Sequence, residues 1–126
     1  MINAAVPHDW RQLQSDVAQI LSEIGFLVKI GHVMETARGK IEIDVHAIDD
    51  GSIDKIQYVI ECKNWGNSIP QSVIHSFTTV MHETGGNIGF IISKQGFQSG
   101  AKDFVKYTRS YLIILDDIKL LVANKM

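Results

Sequence analysis

The chain has one cysteine in 126 residues, so no disulfide can form within it and the lone thiol fits a reducing compartment. No basic segment followed by an apolar one opens the sequence, so residues 1–7 do not read as a secretory signal and the cytoplasm is the expected location. Long apolar runs are missing too. The stretch 111–115 is among the longest and is far too short to span a bilayer, which excludes a membrane partner of that kind. The five histidines, His8, His32, His46, His75 and His82, show no tight zinc spacing. A basic excess is also lacking. The formal net charge of −2 argues against a generic phosphate-binding surface. What remains is an ordinary balance of 45% apolar and 21% charged residues, enough for one domain over 1–126 with a proper core.

Hydrophobic periodicity gives the elements. Trp10, Leu13, Val17, Ile20, Leu21 and Ile24 recur at helical spacing, which predicts a helix over 9–24 stopped by Gly25. A strand is expected over 26–33 and a turn over 36–39. Ile41, Ile43, Val45 and Ala47 alternate with Glu42, Asp44 and His46, the period of a two-faced strand. Turn chemistry at 49–52 leads into a returning strand over 56–63. A loop over 64–70, a helix over 71–84 ended by Gly85 and Gly86, and a buried strand over 88–93 follow. A second helix through about Thr108, a strand over 111–115 and a short terminal helix over 116–123 complete the chain. The order predicts an α/β fold in three layers: a mixed central sheet, built from an antiparallel hairpin plus helix-linked strands, with helices on both faces.

Within this frame Glu61, Cys62 and Lys63 stand out. Residues two apart share a strand face, so Glu61 and Lys63 point together and Cys62 points away. If the hairpin is centred on Ser52 and Ile53, Asp44 lies opposite Glu61, with Cβ atoms about 5 Å apart. A slip of one residue would undo the arrangement. Two carboxylates at that distance can share a divalent metal beside a phosphate, and an ammonium group then lies near the attacking water. Cys62 reads as a small core residue, not a nucleophile.

Asp44 followed by Glu61-Cys62-Lys63 matches the pattern Asp, spacer, Glu-x-Lys. With the opening helix ending in Ile24-Gly25-Phe26, the segment 60–65 and the segment 91–101, the chain resembles the PD-(D/E)XK nuclease superfamily, specifically a restriction-endonuclease-like domain of the Mrr-like group. The resemblance covers most of the chain in the family's order. It implies a metal-dependent endonuclease acting on DNA, with Mg²⁺ (Mn²⁺ as a substitute) held by Asp44, Glu61 and the main-chain carbonyl of Cys62. It gives Lys63 the task of orienting or deprotonating water, and the products a 5′-phosphate and a 3′-hydroxyl. Many relatives carry Glu on the first helix where this chain has Gln14, a neutral amide able to meet a metal-bound water. Ile43 stands where the family name has proline.

Further candidates surround this set. Glu42 and His46 share the expected face of Asp44, one as an acid behind the metal, the other as a substrate contact. Gln71 opens the helix after the loop and, by resemblance, lies near the site. Lys94 and Gln98 flank the start of the next helix, where backbone N–H groups favour phosphate. DNA is the expected partner, with a homodimer or a separate specificity subunit supplying recognition. Two other readings stay open: a structure-specific nuclease cutting branched DNA, and a non-catalytic binding or assembly module on the same fold.

Overall fold

A computed structural model describes residues 2–63, 66–93, 95–108 and 112–115, with side chains from residue 11 onward except that of residue 112. The expected terminal helix over 116–123 lies outside the described residues, as do Lys94 and Trp65. In chain order the elements are α1 (Ile2–Ile24), β1 (Leu27–Thr36), β2 (Gly39–Ile48), β3 (Gln57–Lys63), α2 (Gln71–Thr84), β4 (Ile88–Ser93), α3 (Ser99–Val105) with a single 3₁₀ turn after it, and β5 (Leu112–Leu115). The five strands form one sheet in the order β1-β2-β3-β4-β5. The first three strands pair antiparallel and the last two join in parallel. No described helix is long and apolar enough to cross a membrane.

Two apolar layers hold the sheet between helices. On one face Leu13, Val17, Ala18 and Leu21 of α1 pack over Val45, Ala47, Tyr58, Ile60 and Cys62. Phe26, Tyr58 and Phe90 stack in a row there, with centroids 5.0 and 6.2 Å apart. On the other face Ile74, Phe77 and Met81 of α2 and Ala101 of α3 cover Ile43, Val59 and Ile91. The mixed sheet with helices on both faces is the architecture expected from the sequence.

α2 begins and ends where its punctuation says. Pro70 caps it in an extended conformation, and Gly85, at φ 74°, ends it in the left-handed region that glycine tolerates. α1 starts at Ile2, seven residues before the expected Asp9, and β1 runs on to Thr36, three residues past Val33. The β2–β3 hairpin has the expected register: Ile48 faces Gln57, and Val45 faces Ile60.

One departure shapes the site. In a regular strand Ile43 and Val45 would share a face, but Ile43 packs under α2 and Val45 under α1. The alternation of β2 therefore slips at Asp44. Across from it on β1, Gly31 has φ 63° and drops out of the otherwise continuous β1–β2 pairing between Ile30↔Val45 and His32↔Ile43. Left-handed backbone at this position suits glycine and strains other residues.

Candidate active site

The slip in β2 turns Asp44 toward the backbone of β3. The last paired residues of the hairpin are Val45 and Ile60. Beyond them the Cys62 amide donates to Asp44 Oδ2 at 2.8 Å. A side-chain carboxylate thus takes the role a strand carbonyl would have played, which fixes Asp44 against the strand that carries Glu61 and Lys63.

β3 alternates regularly, so Cys62 sinks beneath α1 while Glu61 and Lys63 face α2. Lys63 Nζ lies 3.1 Å from Glu61 Oε2. Both side chains are largely withdrawn from solvent, at 21% and 28% exposure. Burial raises the Asp44 pKa to about 6, and Glu61 adds to the rise; the Cys62 amide and Lys63 oppose it without cancelling it. The same two carboxylates, after burial itself, push the Cys62 thiol upward, so the thiolate is disfavoured and the core reading of Cys62 holds.

Among the described residues no three His, Cys, Asp or Glu side chains gather around one point. The acidic donors here are two, Asp44 and Glu61. That is a thin set for zinc, but compatible with an ion that keeps several waters.

The remaining candidates fall in different places. Gln14 is buried on the sheet-facing side of α1, in the same strip as Leu13 and Val17. Glu42 is exposed on β2 and leans toward Gly31, its Oε2 3.5 Å from where a Cβ would stand. His46 is buried at 5% exposure, packs on the His32 ring at 4.8 Å and bonds Gln57 at 3.1 Å. The slip at Asp44 separates it from the carboxylates: His46 lines a different cavity, with Leu27, Lys29 and His32. Burial, His46 and Lys29 in turn lower the His32 pKa. Gln71 opens α2, bonds His75 at 3.1 Å and lies against Gly100 of α3. Gln98 caps α3 through its backbone: its carbonyl accepts from Ala101 and Lys102, and its amide donates to Ile69. α3 has only seven residues, so it offers less to an anion than the sequence suggested.

The residues of α2 that do face Glu61 and Lys63 are Ser72, Val73, Ser76, Phe77 and Val80, around a cavity of about 260 Å³. Sequence reasoning passed over Ser72 and Ser76. Their spacing of four, on the helix that follows the Lys63 loop, is the signal that could have marked them.

A family model described as restriction endonuclease, Mrr_cat, matches residues 7–123. The chain belongs to this restriction endonuclease family, which makes it a nuclease domain of restriction-endonuclease-like fold. Among solved structures, a protein of unknown function, AF1548, superposes with a TM-score of 0.70 at 23% identity over 83% of this chain. The chain spans 56% of that protein's length. The DNA modification-dependent restriction endonuclease AspBHI aligns over 98% of this chain and 35% of its own, with a TM-score of 0.49 and 11% identity. No curated protein matches the sequence.

Proposed function

We propose that this domain hydrolyses DNA phosphodiester bonds with a divalent cation held by Asp44 and Glu61, and with Lys63 beside the attacking water. One observation carries the reading: two half-buried carboxylates and one ammonium group meet where β2 leaves β3, with Lys63 3.1 Å from Glu61 and Asp44 anchored on the Cys62 amide. Structural need does not account for it. Burial and Glu61 both disfavour ionised Asp44, a cost that a bound cation would offset.

The donor set suits a hard ion such as Mg²⁺ or Mn²⁺. Asp44 uses one carboxylate oxygen on the Cys62 amide and has a second to offer. Glu61 supplies another carboxylate, and the main-chain carbonyl of Cys62 would be the third protein oxygen. A cation in such a site polarises the phosphoryl group and lowers the pKa of water. Lys63 orients that water or takes its proton, and its charge steadies the negative charge that develops on phosphorus oxygens. Glu61 keeps the ammonium group in place between turnovers. Gln14 adds no charge, which favours one cation over two. The products are a 5′-phosphate and a 3′-hydroxyl, and the biological task is restriction of foreign DNA.

The test is cleavage of linear, methylated, single-stranded and branched DNA with Mg²⁺ or Mn²⁺. Wild type cuts, and Lys63→Ala and Asp44→Asn each slow cleavage by roughly 10²–10⁴-fold, the usual loss with a positioned acid–base group. Both variants keep the circular dichroism spectrum of the wild type. Full activity in both would remove this site from consideration.

A further inference from the structure

We propose that a DNA strand runs from the reacting phosphate along α2, and that Arg38 at the tip of the β1–β2 hairpin grips one of its phosphates. The proposal rests on the nuclease reading above and adds a residue and a direction to it.

Two depressions flank α2. The first, of about 260 Å³, holds Glu61 and Lys63. The second, of about 300 Å³, holds Arg38, Ile41, Thr79 and Glu83. Ser76 and Val80 line both, so the two form one furrow. Ser72, Ser76 and Thr79 place exposed hydroxyl groups along its helical wall. From Ser72 to Glu83 the helix advances about 16 Å at 1.5 Å per residue. That is about five steps of a duplex at 3.4 Å per step. Lys63 stands near one end and Arg38 at the other, in a chain whose net charge of −2 leaves little general attraction for DNA.

Arg38 is built into this position. Thr36 Oγ1 accepts the Arg38 amide at 3.1 Å and donates to the Gly39 carbonyl at 2.8 Å, which tightens the hairpin tip. Gly39, at φ 116°, completes the turn. Arg38 Nε reaches Glu83 Oε2 at 3.3 Å. Its side chain remains 69% exposed, whereas that of Glu83 is 15% exposed. An ion pair this open contributes little to stability. The contact is made through Nε and the side chain is mostly exposed, so the guanidinium keeps donors that a phosphate can reach. Glu83 aims the guanidinium and also weakens its field.

The experiment measures anisotropy of a fluorescent duplex in Ca²⁺ without Mg²⁺ across a salt series, with Mg²⁺-dependent cleavage assayed in parallel. Losing one phosphate contact makes the slope of log K against log salt shallower by about 0.9, and so weakens binding roughly eightfold at 0.1 M salt. Arg38→Ala is expected to show both changes, with an unchanged single-turnover rate at saturating DNA and an unchanged melting temperature. Glu83→Gln is expected to bind more tightly than wild type, and to lose most of that gain when combined with Arg38→Ala, which separates a phosphate contact by Arg38 from a general change of charge. An unchanged slope in Arg38→Ala, or weaker binding by Glu83→Gln, overturns the proposal. Cleaving wild type with either result loses only the α2 track. A wild type that neither cleaves nor binds loses the nuclease reading as well.

Discussion

At the scale of single residues, Asp44 does two jobs that substitution can separate. Its carboxylate satisfies the Cys62 amide, and its charge sits against Glu61. Its pKa is raised from 3.8 to about 6, so the folded state holds the proton more tightly than the unfolded chain. Stability from this group is therefore present below about pH 4 and is lost as pH rises through 6. Discounted for partial exposure, the loss is about 1–2 kcal/mol. Asp44→Asn keeps an oxygen for the amide and removes the charge. In chelator at pH 7.5 it should melt above wild type, and the gain should vanish near pH 4. Asp44→Ala leaves the amide unpaired and should be less stable than Asp44→Asn by about 1–3 kcal/mol. Equal melting of wild type and Asp44→Asn at all pH values would show that the carboxylate is not destabilised.

At the scale of elements, the slip of β2 is the feature that makes a site out of a hairpin. Gly31→Ala tests it. A Cβ there would stand 3.5 Å from Glu42 Oε2, an ordinary contact, so the cost comes from the left-handed backbone. That cost is about 1–2 kcal/mol. If β1 relieves it by straightening, β2 follows, and Mg²⁺-dependent cleavage should fall along with the melting temperature. Loss of stability with cleavage intact would mean that the slip does not depend on Gly31.

Much of this level was legible in the sequence. Pro70 and Gly85 set the limits of α2, and the turn at 49–52 set the register that brings Asp44 to Glu61. The slip itself was hidden, because Ile41, Ile43, Val45 and Ala47 alternate without a flaw and only the glycine on the neighbouring strand betrays the change. That is why His46 was expected beside Asp44 and instead packs with His32. Ser72 and Ser76 read as an ordinary polar helix surface until the fold turned them toward β3. The short α3 likewise read as a stronger phosphate site than its seven residues make it.

At the scale of the whole molecule, charge limits what the domain does alone. With a net charge of −2 and a few cations near the site, the proposed hold on duplex DNA should be local. The isolated chain should bind unrelated duplexes about equally, with Kd in the range of about 10⁻⁴–10⁻⁶ M at physiological salt. Nanomolar binding to one sequence would show that the chain carries its own reader. AF1548 is about one and a half times as long, so a further domain or a second subunit supplying recognition is compatible with the fold. The three-layer core serves these arrangements equally, since it presents the site where β2 parts from β3 and leaves the α2 face open beside it.

The most direct measurement is calorimetric titration of Mn²⁺ and Mg²⁺ into wild type, Asp44→Asn and Glu61→Gln at pH 7.5. The wild type should bind one ion per chain, and each variant should lose that binding while remaining folded. Binding of the same strength in all three proteins would contradict the assignment of Asp44 and Glu61 as the cation site.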